Sequence, residues 1–175
     1  MKRSQYVVAL AWTALLSMSA AAFADNDGQA IKHKSPVAPV QTSCGKDAKQ
    51  VDIAQNSTGQ NTTSSTFVDV TGSEVSFNIG GNNNTCVLVD FSGQVFAPGT
   101  TNNLMFVKAV LDNSITSVDG QIQLVAESNT RSDAHAYNFL FTEVPPGAHT
   151  VKMQYEASGG GQVSINDFNM VVYHK

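Results

Sequence analysis

The chain has 175 residues, 42% hydrophobic and 14% charged, with a formal net charge of −4. This length suits a single domain. The acidic balance, with no clustered Lys and Arg beyond one short tract, argues against electrostatic binding of nucleic acid, which needs grouped cations to displace counterions.

Residues 1–24 read as a secretory leader. Lys2 and Arg3 form a basic start, residues 7–18 are mostly apolar, and Ala22-Phe23-Ala24 is a small-x-small cleavage site. The apolar run is short for a membrane span, and no later segment is long and apolar enough for one. No cysteine directly follows the cleavage site, which argues against a lipoprotein anchor. Cleavage after Ala24 leaves 151 residues with 8 basic and 14 acidic side chains, a formal charge of −6. It also removes Trp12, the only tryptophan. The expected location is therefore periplasmic or extracellular.

Residues 25–43 are polar, contain Pro36 and Pro39, and show no periodicity, as expected of a flexible tail. Lys32, His33 and Lys34 form its basic tract, which reads as solvated rather than as a contact for an anionic surface. The expected folded domain is 44–175. Cys44 and Cys86 are the only cysteines, and in an exported chain an even count favours a disulfide. A reactive thiol or a metal-ligand pair is the rival reading.

Short strands are then expected in succession. Val51 and Ile53 mark a weak first one, and 56–65 reads as loop. Residues 67–70 form a short strand, and 74–79 alternates cleanly with Val75, Phe77 and Ile79 on one face. Residues 80–84 are a Gly/Asn turn. Residues 85–91 are apolar at nearly every position, which suits a central strand covered on both faces, with Asp90 as the interruption. Residues 104–111 are another apolar strand. Residues 121–126 alternate, with Ile122 and Leu124 together, and turn signals lie at Asp112-Asn113 and Asp119-Gly120.

The C-terminal stretch carries the clearest pattern. It reads as strands over 134–144, 149–157 and 162–173, separated by Pro145-Pro146-Gly147 and by 158–161. Val151, Met153 and Tyr155 share one face, against Thr150, Lys152, Gln154 and Glu156. Val163 and Ile165 keep one parity while Phe168, Met170 and Val172 keep the other, so a β-bulge at Asn166-Asp167 would place all five on one face. With eight or nine short strands and no amphipathic helix, the expected fold is all-β, an antiparallel β-sandwich of jelly-roll type. A closed up-and-down barrel is the main alternative. An outer-membrane barrel fits less well, for want of an outward apolar band with aromatic girdles.

Residues 65–70, 75–77 and 86–92, followed by Ala134-His135-Ala136-Tyr137-Asn138-Phe139 and Pro146-Gly147-Ala148-His149-Thr150-Val151, resemble a group of small exported bacterial β-sandwich proteins with no established activity. The likeness covers roughly 44–173 and implies a jelly-roll-like fold. It carries no catalytic residues.

His135 and His149 fall on neighbouring expected strands. As a hairpin these would bring the two rings together, with Asp133 or Glu143 as a further metal ligand. No His-Glu-x-x-His spacing supports this, and the plainer reading has each imidazole fixing a turn near a strand end. No Gly-x-Ser-x-Gly elbow is present. Asp69, Asp90, Glu127 and Glu143 are the carboxylates a two-acid hydrolase would draw on, and nothing in their spacing pairs them. The expectation is a cofactor-free, non-enzymatic protein with a binding or structural role. Glycan recognition or self-association would serve that role, and a hydrolase with an unrecognised site ranks third. Glycan binding rests on analogy with jelly-roll lectins. Tyr137, Tyr155 and Tyr173 are the only tyrosines left to stack on a sugar, with Tyr155 facing the core, and Asn82, Asn83 and Asn84 offer a polar turn.

Overall fold

A computed structural model describes residues 49–98, 103–125 and 132–175. The expected leader, the tail and Cys44 lie outside these residues. The described residues form eleven strands: β1 (Gln50–Asn56), β2 (Gln60–Thr62), β3 (Val68–Asp69), β4 (Val75–Ile79), β5 (Thr85–Phe96), β6 (Leu104–Leu111), β7 (Ile115–Thr116), β8 (Ile122–Val125), β9 (Asp133–Val144), β10 (Gly147–Ser158) and β11 (Val163–His174). The count exceeds the expected eight or nine because two pieces carry too little apolar alternation to register. β2 lies inside the polar stretch read as loop, and β7 has both its residues exposed.

The strands form two antiparallel sheets. Sheet A runs β1-β11-β5-β9, with β2 also on β11. Sheet B is built on β10 and β6, with β3 and β4 on β10, and β7 and β8 on β6. The long pairings are nested: β1 with β11, β4 with β10, β5 with β9, and β6 with β8. First pairs with last and the order closes inward, which is the topology of a jelly roll and not of an up-and-down barrel.

Alternation sets the core. From sheet A, Val87, Val89, Phe91 and Val95 of β5 and Phe139 and Phe141 of β9 point inward. From sheet B, Val151, Met153, Tyr155 and Ala157 of β10 meet Met105, Val107, Ala109 and Leu111 of β6. Burial pushes the Tyr155 phenol above its ordinary pKa. The expected bulge is present. Ile165 pairs with Val95 and Asp167 with Gln94, so Asn166 is the extra residue on β11. Val163, Ile165, Phe168, Met170 and Val172 are all buried as a result. A second bulge was not legible in the sequence. Thr85 pairs with Val144 and Val87 with Phe141, and the inserted stretch contains Glu143 at φ 58°. It lets Phe141 and Val144 share the interior despite their opposite parity.

One expectation is corrected, and one strand shows an orientation the sequence left open. β5 is central, but no second layer among the described residues covers its outer face. Leu88, Asp90 and Ser92 stand half-buried there between β9 and β11. In β1 the apolar residues point away from the core. Val51 is 51% and Ile53 59% exposed, while Ala54, of the other parity, is buried.

Candidate functional site

Histidine and carboxylate chemistry comes first, because the sequence singled it out. His135 and His149 are not brought together. Their strands are consecutive in the chain but belong to different sheets: His135 pairs with Gly93 in sheet A and His149 with Phe77 in sheet B. The Pro145-Pro146 link crosses between sheets and does not close a hairpin, which removes the basis for a shared metal. No group of three His, Cys, Asp or Glu able to hold a metal occurs among the described residues.

His149 does fix a turn. Its Nδ1 lies 2.8 Å from Asp112 Oδ2 and its Nε2 lies 2.8 Å from the Pro145 carbonyl. Asp112 and Asn113 adopt left-handed backbone, at φ 50° and 61°, in the turn from β6 to β7. Asp112 Oδ1 also accepts the Thr150 N–H at 3.0 Å. Partial burial alone would raise the Asp112 pKa, but the Thr150 N–H and the His149 ring outweigh it and hold the carboxyl below its ordinary value.

The carboxylates a hydrolase would need are dispersed. Asp69 accepts from Lys152 Nζ and Gln154 Nε2, each at 2.7 Å. The Lys152 hydrogen bond is the main cause of its lowered pKa. Glu143 accepts from Asn84 at 3.3 Å. Asp167 Oδ1 accepts the Gln94 N–H at 3.2 Å, beside the Asn166 bulge. Glu127 lies outside the described residues. Cys86 begins β5, and no described cysteine is free.

The surface best placed to bind is the outer face of sheet A, which the sequence did not single out. Register gives its side-chain rows. Val51, Tyr173, Leu88 and Leu140 form one, followed by Ile53, Val171, Asp90 and Asn138. Gln55, Asn169, Ser92 and Ala136 come next, and then Asp167, Gln94 and Ala134. One end of the face is therefore apolar and the other is amide-rich.

At the amide-rich end a shallow depression of about 360 Å³ is lined by Ser92, Gln94, Ala134, Ala136, Asp167 and Asn169, among others. Small side chains on β9 and Gly93 on β5 leave this space, beside the strand bent by the bulge. Gln55 Nε2 donates to Asn169 Oδ1 at 3.0 Å. That bond ties the two amides together and uses one donor of Gln55 and the acceptor of Asn169. Tyr137 of β9, 38% exposed, has the parity of Phe139 and so lies on the opposite face of the strand from the depression, with its ring 5.2 Å from that of Phe139. Asp90 Oδ1 is buried without a hydrogen-bond partner in the row above the depression. The outer face of sheet B differs, since Lys152, Gln154 and Asp69 engage one another and the Lys108 ammonium sits 4.2 Å from the Phe67 ring centroid.

No protein-family model matches the chain, and no curated protein matches it in sequence. The resemblance to exported bacterial sandwiches therefore has no family match behind it. Solved structures of similar shape include dimeric latent PorU from Porphyromonas gingivalis, at 12% identity, TM-score 0.47, over 75% of this chain and 14% of that one. The C-terminal domain of EclA, described as a sugar-binding protein, aligns at 9% identity and TM-score 0.36 over 67% of this chain and 78% of its own. The C-terminal CBM6 of LamC, a laminarinase from Zobellia galactanivorans, aligns at 12% and 0.31 over 69% and 98%. The chain thus spans a small part of PorU, and at these identities nothing about a ligand passes from any of these proteins to this one.

Proposed function

We propose that this is an exported, non-enzymatic binding module whose ligand is a neutral, hydroxyl-rich polymer, a glycan, held on the outer face of sheet A. The observation that carries the reading is the hydrogen-bonded Gln55–Asn169 amide pair beside the depression. Amides offer both donors and acceptors, which suits hydroxyl groups, and fixing them on paired strands lowers the ordering cost of binding. A formal charge of −6 after cleavage disfavours a polyanion. The non-enzymatic reading rests on Asp69, Asp112, Glu143 and Asp167 each being engaged in a separate structural contact.

The test is titration of the purified domain against a panel of cell-wall and surface glycans, with and without calcium, followed by two variants. Asn169→Ala is expected to weaken binding about tenfold, the worth of one good hydrogen bond. Ala136→Arg is expected to abolish it by filling the depression. Binding that survives both variants places the site elsewhere, and absence of binding across the panel refutes the reading.

A second reading has its own observation. Val51 and Ile53 are exposed beside half-buried Val171, Tyr173 and Leu88, an apolar end of the kind that marks interfaces. Self-association through it would show as a concentration-dependent mass in sedimentation, lost in Ile53→Glu.

A further inference from the structure

β9 is a free edge of sheet A, with β5 as its sole partner among the described strands. In an antiparallel ladder the N–H and C=O of one residue point to the same side, and successive residues alternate. Leu140 shows which side is which. Its N–H donates to Asp119 Oδ2 at 3.2 Å and its carbonyl accepts the Val118 N–H at 2.8 Å, both from the turn between β7 and β8. Leu140 therefore points away from β5, and so do Asn138, Ala136 and Ala134, which share its parity. Among the described residues no hydrogen bond reaches the edge-facing backbone of these three.

This edge lacks the usual guards. Residues 133–138 contain no Pro and no Lys, and their register on β5 runs without a bulge. The segment is also open on both faces. Ala134, Ala136 and Asn138 are exposed on the outer side. On the other side Tyr137 is exposed and His135 half-buried, whereas Phe139, next on that parity, is fully buried.

We propose that this edge is a dimer contact, in which β9 of a second copy pairs antiparallel with it about a two-fold axis at Ala136. A second copy is the occupant because the segment is complementary to itself, as an isologous contact requires. With Ala136 facing the partner's Ala136, Ala134 faces the partner's Asn138 and Asn138 the partner's Ala134. These are the edge-facing residues, so each facing pair exchanges both its N–H···O=C bonds. A methyl group sits on the axis, where bulk would keep the copies apart. On the other face His135 stands opposite the partner's Tyr137, and Tyr137 opposite the partner's His135, a ring-on-ring cross-strand contact of the kind that stabilises sheets. Asp133 faces the partner's Phe139, so no like charges stand opposite each other. The Val118–Asp119 cap closes the edge at Leu140, where the symmetric segment ends. The residue that would face Leu140 is the partner's Ser132, and in each copy Asn166 Nδ2 holds the Ser132 hydroxyl back toward β11 at 2.6 Å. The pairing makes one continuous sheet of the two copies' sheets A and sets the two depressions on either side of the axis, since Ala134 and Ala136 line them. It stands whatever the depressions bind, and it uses the opposite edge of sheet A from Val51 and Ile53.

The experiment is sedimentation of the purified protein from about 1 µM to about 1 mM, a range that covers weak contacts, with amide exchange measured at both ends. A monomer–dimer equilibrium is expected. The N–H groups of Ala134, Ala136 and Asn138 should exchange roughly tenfold or more slowly in the dimer, with those of β1 unchanged. The double variant His135→Glu/Tyr137→Glu sets carboxylates against each other across both ring contacts and should raise the dimer Kd about tenfold or more. His135→Lys/Tyr137→Glu disturbs the same two positions but sets opposite charges face to face, and should bring the Kd back to within about threefold of wild type. A monomer across the whole range overturns the proposal. So do two double variants that behave alike, or a dimer that keeps the three edge amides in fast exchange and is lost in Ile53→Glu, which would place the contact on β1.

Discussion

Gly93 gives the sharpest test of how the core and the outer face are coupled. A Cβ built there would lie 2.8 Å from the Asp167 carbonyl oxygen and 3.4 Å from Phe168 Cβ. The oxygen is backbone, so it cannot swing aside as a side chain would. It is also held in place: Asp167 pairs with Gln94 and caps the Gln94 N–H, and Phe168 pairs with Gly93 itself. Gly93→Ala must therefore push β11 away from β5 in the middle of sheet A. Overpacking of this kind costs about 1–3 kcal/mol. For a domain of this size that is a fall in Tm of about 4–12 °C. The control is Gly80→Ala, where a new Cβ meets nothing within 4 Å. Urea unfolding followed by tryptophan-free fluorescence or circular dichroism should give a lower midpoint for Gly93→Ala with an unchanged slope. A Gly93→Ala protein within about 0.5 kcal/mol of both wild type and Gly80→Ala would refute the reasoning.

Three further outcomes are expected. Non-reducing mass spectrometry of the exported protein should find Cys44 joined to Cys86, and reduction should destabilise the fold by about 3–4 kcal/mol, so two free thiols would refute the bridge. The mature protein should begin at Asp25, which N-terminal sequencing checks directly. Asp112 has a native pKa below its ordinary 3.8, so its contribution to stability is full above that value and disappears as the pH falls through the lower native value. Asp112→Ala should therefore cost about 1–2 kcal/mol near neutral pH, discounted for partial exposure, and the gap to wild type should close under strong acid.

Much of the fold is legible because β4, β9, β10 and β11 alternate, and alternation is a direct record of which face is wet. The Asn166 bulge was readable for the same reason, since the parity of the apolar residues flips there. The Glu143 bulge was not, because a single αL residue between Phe141 and Val144 leaves no run long enough to reveal a flip. The outward direction of Val51 and Ile53 in β1 was not legible either, because sequence alternation carries no sign for inside and outside. The candidate face of sheet A is invisible in sequence for a stronger reason. Gln55, Asn169, Ser92 and Ala136 become one row only through pairings among four strands that are far apart in the chain. His149 and His135 fail in the opposite way, being close in the chain but placed in different sheets.

The nested strand order also dictates timing. β11 is the last of the described strands in chain order, yet it lies inside sheet A, between β1 and β5. Until it pairs, β1 has no partner among the described strands and β5 has only β9. Pairing Gln50 with His174 closes nearly the whole domain in one step, a long-range contact of the kind that slows folding. A chain of this design stays open until β11 pairs. The same logic makes β11 indispensable: a truncation ahead of it would remove the centre of a sheet, and the product would be an unpaired, protease-sensitive chain rather than a shortened domain.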